Sequence, residues 1–408
     1  MHAYQPYLNY VFCFLAALGI SIFSIPNIIY VAKRKRLLDL PDNERKLHKR
    51  IVPNLGGIGI FFAFIIATSV FINAGTFSKW NYITAAVLIL FITGIKDDLV
   101  QISPTKKLVA QLFAAIITVC LADIRLKSLH GLLGIEEMPV WLSIGFSIVG
   151  CVFVTNAFNL IDGIDGLAGS VGILISTLFG LLLAAEGDSN AAIIAFSLSG
   201  AILGFLRFNI SPAKIFMGDT GSLIIGFAIS AISILFINSY NSQIPLFGFV
   251  ASPHACLIIA LAILFIPVFD TFRVFTMRLS KGRSPFNPDR THLHHYLLDL
   301  GLSHSQTVAT IVGANLLIII VALMLQSYNM NIALAGLVFV GFSMLFILML
   351  VRRSFSRNAQ KNAAPAVIVT NGAEKTSTSV DGIQHGQTSI TVNGKRIVVE
   401  EKEQLMFQ

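Results

Sequence analysis

The chain has 408 residues, of which 55% are hydrophobic and only 12% are charged, and its mean hydropathy is +0.77. A water-soluble domain carries about 25% charged residues, so this chain has too little polar surface to face water on every side. A soluble globular domain is therefore excluded, and most of the chain is expected to face lipid. The formal net charge of +8 is expected to reflect orientation in a membrane rather than binding to nucleic acid.

The four cysteines do not form a pattern that is typical of disulfides or zinc sites. They are Cys13, Cys120, Cys151 and Cys256. All lie in apolar stretches without a CxxC or Cys/His pair, so they are predicted to be packing residues. The first apolar run, residues 8–31, lacks a basic start and exceeds the apolar core of a signal peptide, so we expect it to remain as a helix.

Apolar runs of about 20 residues, long enough to span a bilayer, recur about eleven times between clusters of charge. They centre near Leu18, Phe64, Val87, Ala115, Ile148, Ile175, Ser199, Ile229, Leu264, Leu317 and Val340. The predicted fold class is therefore all-α, a polytopic integral membrane protein with about eleven transmembrane helices.

Lysine and arginine predict the orientation, because positively charged loops stay in the cytoplasm. With eleven spans, one set of loops and the C-terminal tail contain all of the 29 basic residues except Lys79, Arg125 and Lys127. An even number of spans would destroy that separation. The N-terminus is therefore predicted outside and the C-terminus in the cytoplasm.

The last part of the chain is polar and rich in Ser, Thr, Asn, Lys and Glu. We therefore predict a transmembrane domain over residues 1–353 and a largely flexible cytoplasmic tail over residues 354–408. Within the tail, residues 389–392 and 396–399 resemble two strands around Asn393–Gly394, a pair that is typical of a hairpin turn. No chemistry is assigned to the tail.

Ionisable residues at the ends of membrane spans are costly, and they indicate function by default. Asp97 and Asp98 close the third apolar run as an adjacent pair. A solvated helix end is the simplest interpretation of this pair in isolation. Two adjacent carboxylates at a helix C-terminus nevertheless oppose the helix dipole and repel each other, which favours a role beside a cation or in proton transfer.

A more specific motif, NAFNLIDGIDGL, follows the fifth run. Its polar residues recur at every third position. If the motif is helical, Asn156, Asn159, Asp162 and Asp165 therefore lie along one face that turns gradually around the helix. A polar seam between helices is the alternative, but such a seam rarely needs two carboxylates. Ligands that offer only oxygen suit Mg²⁺ or Mn²⁺ rather than zinc.

The segment MGDTGS, with Asp219 at its centre, precedes the eighth run. Ordinary helix capping by Thr220 or Ser222 would explain it. A helix N-terminus with glycines and a nearby Lys214 is equally suited to phosphate.

A long polar loop follows the ninth run, which ends near Asp270. The candidate binding residues of this loop are Arg290, His292, His294 and His295. Three histidines beside an arginine predict a cradle for phosphate or sugar. Zinc binding is the competing interpretation, although no HExxH-type spacing supports it.

The basic segment of residues 33–50 is most simply explained by membrane topology and by contact with anionic lipid head groups. Acidic residues and a histidine are interspersed among its basic residues, which a simple topology signal does not explain. Asp39, Arg45 and His48 therefore remain candidate site residues.

These motifs, in this order, resemble the polyprenyl-phosphate N-acetylhexosamine-1-phosphate transferases of glycosyltransferase family 4. The resemblance runs from about Asp39 to His295, and the span layout extends it to about Arg353. The form of the His-rich loop is closer to the N-acetylglucosamine branch than to the peptidoglycan branch, which is analogy and does not fix the sugar.

The resemblance implies a role for each motif. It implies Asn159 and Asp219 as Mg²⁺ ligands, Asp97 and Asp98 as the pair at the lipid acceptor, and Lys107 as a pyrophosphate contact. It implies Asp162 and Asp165 at the nucleotide, and Arg290, His292, His294 and His295 at the pyrophosphate and sugar.

The implied reaction transfers a sugar-1-phosphate from a UDP-sugar to undecaprenyl or another polyprenyl phosphate and releases UMP. The implied cofactor is Mg²⁺, with Mn²⁺ as a substitute, and the implied place is the cytoplasmic face of a bacterial inner membrane. Membrane lipid and a second copy of the chain are further candidate partners, and nucleic acid is not expected.

A transporter or channel is the alternative class, because it also gathers polar groups near broken helices. Such a protein would place its charges near the bilayer midplane and show an internal repeat. We find no convincing repeat, and the charged motifs fall on one predicted face. A non-catalytic scaffold would tolerate the loss of a motif, and none is missing.

Overall fold

The computed structural model describes residues 5–37, 52–73, 75, 77–240, 250, 252–284, 291–362, 387–392 and 395–400. The chain divides into two compact units, residues 1–346 and residues 347–408.

The described residues are mostly helical. The helices are α1 (Gln5–Lys35), α2 (Gly56–Phe71), α3 (Lys79–Leu99), α4 (Pro104–Ile116), α5 (Val140–Ile161), α6 (Leu167–Ala185), α7 (Ser189–Asn209), α8 (Gly218–Ile237), α9 (Pro253–Ile263), α10 (Phe265–Ser280), α11 (Leu293–Asp299), α12 (His304–Leu325) and α13 (Met330–Asn362). A short π-helical segment, Ile117–Leu121, continues α4. Each predicted span centre lies in one of these helices, except Leu264, which joins α9 to α10.

Eight of the described helices are long and apolar enough to cross a membrane, and the bent pair of α9 and α10 makes up to nine. Helix α2 is apolar but has only 16 residues. Helix α3 has 21 residues, but Lys96, Asp97 and Asp98 place three charges in its last turn. The prediction of a polytopic helical membrane protein is confirmed, whereas the count of eleven and the orientation of the termini stay predictions.

Two short antiparallel hairpins depart from the all-α prediction. Strands β1 (Ser128–Leu132) and β2 (Ile135–Glu137) form the first, between α4 and α5. Strands β3 (Gln387–Val392) and β4 (Lys395–Glu400) form the second, in register from Gln387 opposite Glu400 to Val392 opposite Lys395. The strand pair predicted in the tail is thus confirmed, and its turn lies outside the described residues.

Helix α8 is the centre of the first unit, and its most apolar stretch is completely buried. It packs against α2, α3, α5, α6 and α7. Glycines allow this close approach: a Cβ on Gly94 of α3 would lie 2.4 Å from Thr220 Cα, and one on Gly57 of α2 would lie 2.1 Å from Gly221 N. Small residues bring membrane helices together in this way, so the N-terminal turn of α8 lies directly against α2 and α3.

Candidate active site

One lysine joins two carboxylates where α3, α4 and α8 meet. Lys107 Nζ lies 2.7 Å from Asp97 Oδ2 and 2.8 Å from Asp219 Oδ2. Asp97 is buried, and its other oxygen accepts a hydrogen bond of 2.7 Å from the backbone N–H of Ile102. Two carboxylates thus share one ammonium, and Asp97 and Lys107 are largely shielded from solvent whereas Asp219 is partly exposed.

Asp98, although adjacent to Asp97, has a different partner. Its Oδ1 accepts from the backbone N–H of Asp219 at 2.7 Å, and its Oδ2 accepts from the N–H and the hydroxyl of Thr220 at 3.1 and 2.5 Å. Asn54 Nδ2 donates to the same carboxylate at 3.2 Å. Asp98 thus caps the N-terminus of α8 from a neighbouring helix, where the helix dipole favours negative charge. Positioning Asp219 is the role that this geometry indicates.

The last turn of α5 supplies two amides to the same region. Asn159 Nδ2 donates to Asp219 Oδ1 and, at 2.9 Å, to Ser222 Oγ. One turn earlier, Asn156 exchanges hydrogen bonds of 2.7 and 3.3 Å with the side-chain amide of Gln111 in α4. Asn159 therefore contacts the carboxylate cluster directly, whereas Asn156 ties α4 to α5.

Two cavities adjoin the cluster, and Asn159 lines both. The first, of about 260 Å³, is mainly apolar apart from Lys107, Thr105 and two asparagines. Its lining is Ile102, Pro104, Thr105, Lys107, Leu108, Asn156, Asn159, Leu160 and Phe275. The second, of about 220 Å³, is mainly polar. Its lining is Asn54, Asn159, Asp162, Gly163, Ile164, Asp165, Asn209, Phe216, Gly218 and Asp219.

The loop after α5 forms one wall of the polar cavity. Burial, and then the negative charges of Asp219, Asp98 and Asp165, raise the pKa of Asp162 to about 8. Gly166 ends the loop at a φ of +77°, which favours glycine. Asp162 therefore keeps its proton at neutral pH as long as no cation offsets the negative charges of these three carboxylates.

The rest of this loop is held from two sides. Asp165 Oδ2 accepts from the N–H of Ala213 at 3.2 Å, and His304 Nδ1 lies 3.5 Å away from it. Asn209 accepts from the N–H of Gly166 at 2.9 Å and donates to the carbonyl of Ile215 at 2.8 Å. This buried asparagine links the loop after α5 to the segment that enters α8.

The described part of the His-rich segment is anchored on α10 by Asp270. His292 Nδ1 lies 2.9 Å from Asp270 Oδ2, and Arg273 Nη2 lies 2.7 Å from Asp270 Oδ1. The backbone N–H of Leu293 donates to the same carboxylate at 3.2 Å. Asp270, a minor candidate on sequence grounds, is therefore the residue that positions the start of α11.

Two further histidines of this segment lie beside the polar cavity. His294 is buried, and a Cβ on Gly163 would lie 2.6 Å from its Nε2, which makes no hydrogen bond to a described residue. Burial, and then the neighbouring His295 and His292, lower the pKa of His294 to about 3, so its ring is neutral. The ring of His295 lies 4.3 Å from that of His294.

The structure thus brings together most of the predicted site residues. Asp97, Asp98, Lys107, Asn159 and Asp219 form one cluster, and Asp162 and Asp165 line the polar cavity that Asp219 also lines. The three histidines lie together, with His294 against Gly163 of that cavity. Lys214 has an exposed side chain and does not line either cavity. Arg290, Asp39, Arg45 and His48 lie outside the described residues.

Sequence reasoning missed three contributors, Gln111, Asn209 and His304. Each lies outside the acidic motifs, and each contacts a residue that is distant in the chain. The only local signal was Ser303, which forms a capping box with Gln306 and thereby places His304 at the start of α12.

The oxygen atoms of this cluster could serve as ligands of a divalent cation. The described residues contain no group of three or more His, Cys, Asp or Glu arranged to hold a metal by themselves. Asp97 and Asp219 nevertheless already share one cation, the ammonium of Lys107. Mg²⁺ usually takes one or two carboxylates and completes its shell with water and substrate phosphate, so this oxygen-rich site fits it. Asn159 offers its amide nitrogen to Asp219, so ligation through its oxygen requires the amide to turn.

The fold and the site together define an integral membrane protein with an acidic, two-cavity site where the ends of several helices meet. The sequence profile described as "Glycosyl transferase family 4" matches residues 80–237, which include Asp97, Lys107, Asn159 and Asp219.

Curated relatives extend this match over most of the chain. A probable undecaprenyl-phosphate N-acetylglucosaminyl 1-phosphate transferase of Bacillus subtilis (strain 168) is 31% identical over 331 residues, covering 80% of this chain and 88% of the relative. The undecaprenyl-phosphate alpha-N-acetylglucosaminyl 1-phosphate transferase of Escherichia coli (strain K12) is 34% identical over 290 residues, covering 69% and 74%. A decaprenyl-phosphate N-acetylglucosaminephosphotransferase of Mycobacterium leprae (strain TN) is 31% identical over 319 residues, covering 73% and 79%.

The chain therefore belongs to glycosyl transferase family 4, the polyprenyl-phosphate N-acetylhexosamine-1-phosphate transferases that the motifs predict. The predicted family is confirmed.

Proposed function

We propose that this protein transfers N-acetylglucosamine-1-phosphate from UDP-N-acetylglucosamine to undecaprenyl phosphate and releases UMP. The observation that carries the proposal is the cluster of Asp97, Lys107, Asn159 and Asp219 between an apolar cavity and a polar cavity. The relatives whose names state this transfer support the choice of sugar and lipid.

Each cavity suits one reactant. The apolar cavity, with Leu108, Leu160 and Phe275 on its walls, suits the first isoprene units of the lipid, and Lys107 in its lining suits the lipid phosphate. The polar cavity, with Asp162, Asp165 and nearby histidines, suits the nucleotide and the sugar. The two reactants would then meet at Asn159, which lines both cavities.

The reaction itself is a displacement at phosphorus. An oxygen of the polyprenyl phosphate attacks the β-phosphorus of the UDP-sugar and forms the new P–O bond. The bond from that phosphorus to the bridging oxygen breaks, and UMP leaves with the electron pair. Lys107 would hold acceptor and donor phosphates together, so that two anions can approach each other.

We further propose Mg²⁺, with Mn²⁺ as a substitute, held by Asp219 and Asp97 with Asn159 after its amide turns. When bound, the ion neutralises charge on the pyrophosphate. Asp98 would keep Asp219 in place by capping α8. His294 in its neutral form would face the sugar and pyrophosphate. His292, which is held by Asp270, would lie beside it, and Arg290 is proposed to join them.

The site is proposed to face the cytoplasm of a bacterial plasma membrane, where UDP-sugars are made and where basic loops remain. The product would be the lipid-linked sugar with which synthesis of a cell-envelope polysaccharide starts.

A donor screen with the purified protein tests this proposal. UDP-N-acetylglucosamine, UDP-N-acetylgalactosamine and UDP-glucose are each incubated with undecaprenyl phosphate and Mg²⁺, and the lipid product is identified by mass. We expect lipid-pyrophosphate-N-acetylglucosamine as the main product, with UMP in equal amount. UMP without a lipid product, or a preference for another donor, would contradict the proposal.

A further inference from the structure

The break between α9 and α10 is bridged by one buried side chain from another helix. The two helices meet at Leu264 and bend by 67°. Asn315 of α12, fully buried, donates from Nδ2 to the carbonyl of Ile263 at 3.0 Å and accepts from the N–H of Ile266 at 3.3 Å. One amide therefore satisfies a backbone acceptor and a backbone donor on opposite sides of the break.

The sequence explains why a bridge is needed there. In an unbroken helix the carbonyl of Ile263 would accept from residue 267, but residue 267 is proline and has no N–H. Unsatisfied backbone groups are costly in a membrane, because no water is available to pair with them. Asn315 supplies what Pro267 removes, so the proline creates the break and the asparagine stabilises the bent form.

The joint is also packed from a second side, by α13. A Cβ on Gly341 would lie 2.4 Å from Phe265 Cζ, so the glycine leaves the space that the ring fills. Phe265 stacks on Phe269 with ring centroids 5.0 Å apart, and Phe269 meets Phe342 edge-on at 5.2 Å. The direction of α10 is therefore fixed by α12 and α13 together.

Helix α10 reaches both halves of the site. Phe275 lines the apolar cavity and lies edge-on to Phe153 of α5, with ring centroids 6.2 Å apart. One turn and a half earlier, Asp270 holds His292 and the backbone of Leu293. A change in the direction of α10 would therefore move the wall of one cavity and the histidines beside the other.

We propose that Asn315 is a positioning residue for the reaction: by bridging the break at Leu264, it sets the direction in which α10 carries Phe275 and Asp270 into the site. The proposal rests on the proposed function, because it gives α10 a role in lipid and donor binding. Asn315 itself touches neither cavity.

Variants at Pro267 and Asn315 separate this role from simple stability. Asn315→Leu keeps the volume but removes the bridge, and we expect it to lower Tm by about 5 °C and kcat by about tenfold. Pro267→Ala restores the missing N–H, so that α9 and α10 can continue as one helix. We expect the double variant with Asn315→Leu, in which no side-chain amide competes with a continuous helix, to keep Tm near the wild-type value while kcat stays about tenfold low.

Ile318→Ala is the matched control, since Ile318 is equally buried on α12 but does not bridge the break. We expect it to lower Tm while kcat, measured below the unfolding range, stays within about twofold of wild type. If kcat follows Tm in Asn315→Leu, the double variant and Ile318→Ala alike, or if the double variant is fully active, the proposal is overturned.

A measurement of geometry keeps this test separate from the proposed function. Cysteines introduced as Phe153→Cys and Phe275→Cys, in a chain whose four natural cysteines are replaced by alanine, are joined with a short thiol-specific cross-linker. We expect rapid cross-linking in the chain that keeps both Asn315 and Pro267, and at least about tenfold slower cross-linking in Asn315→Leu and in the double variant with Pro267→Ala. Equal rates would overturn the proposal even if the wild-type protein released no UMP, a result that would separately refute the proposed function.

Discussion

Two ion clusters lie at opposite ends of α5 and α8, and they are mirror images in charge. At one end, Lys107 lies between the carboxylates of Asp97 and Asp219. At the other end, Asp123 lies between Arg125, at 2.7 Å, and Lys127, at 2.9 Å. Helix α8 has 20 residues, so the two clusters are about 30 Å apart.

Burial distinguishes these clusters as much as charge does. The side chains of Asp123 and Lys127 are each 52% exposed and that of Arg125 is 17% exposed, whereas those of Asp97, Lys107 and Asp219 are 7%, 17% and 29% exposed. Exposed ion pairs contribute about 0–1 kcal/mol each and need no further partner, because water screens them. Buried negative charge in excess of its cations is costly unless another cation arrives. The comparison therefore favours the Lys107 cluster over the Asp123 cluster as the place for the proposed cation.

The largest expected effect is the loss of charge at Asp219. Asp219→Asn should lower kcat for UMP release by about 1000-fold or more, because the cluster loses the carboxylate that contacts both Lys107 and Asn159. The matched variant Asp123→Asn should change kcat by less than about twofold. Steady-state assays on both proteins check this, and comparable losses in the two would remove the distinction between the clusters.

Removal of the Lys107 ammonium, which Asp97 and Asp219 share, should have the next largest effect. Lys107→Met keeps most of the side-chain volume but leaves Asp97 and Asp219 without their common partner. We expect kcat/KM for undecaprenyl phosphate to fall about 100-fold. Lys127→Met in the opposite cluster serves as the control and should stay within about twofold. An active Lys107→Met protein would show that the lysine only stabilises the fold.

A smaller effect is expected from crowding of His294. Gly163→Ala places a Cβ 2.6 Å from His294 Nε2, so the ring or the loop must shift. We expect kcat/KM for the UDP-sugar to fall about tenfold, with a smaller change for the lipid, because only the polar cavity is affected. Gly150→Ala in α5, the helix that precedes this loop, is the control, since its Cβ would meet nothing within 4 Å.

The smallest effect concerns pH. Burial and nearby carboxylates raise the pKa of Asp162 to about 8, above its value of about 3.8 in the unfolded chain. Folded protein then binds the proton more tightly, so this group's contribution to stability is complete below pH 4 and is lost as pH rises through 8. In EDTA, the Tm of the wild-type protein should decline relative to the Tm of Asp162→Asn as the pH is raised from 4 to 8. A constant difference in Tm would show that Asp162 does not titrate in this range.

The sequence predicted the parts of this site that are carried by local motifs. Asp97 and Asp98 were predicted as a functional pair. Successive side chains of a helix point about 100° apart, so Asp97 contacts Lys107 whereas Asp98 caps the N-terminus of α8. Such a division depends on which helices are neighbours, which a single sequence does not reveal.

The residues that sequence reasoning missed share a physical reason. Asn209 and His304 contact the Asp162–Gly166 loop from helices that are distant in the chain, so no spacing rule marks them. The ninth apolar run was likewise predicted only as a span centred near Leu264, and its bend of 67° at that point was not predicted, although Pro267 lies beside it. Whether a proline bends a helix depends on what satisfies the freed carbonyl, and here that group is Asn315.

Dependence on a divalent cation is the most direct test of the central claim, that the Lys107 cluster accepts positive charge in order to join two anionic substrates. UMP release from UDP-N-acetylglucosamine is measured with and without undecaprenyl phosphate, after exhaustive EDTA treatment and again after Mg²⁺ or Mn²⁺ is returned. We expect UMP only when lipid and metal are both present, with activity restored by either ion. Full activity in EDTA would contradict the account.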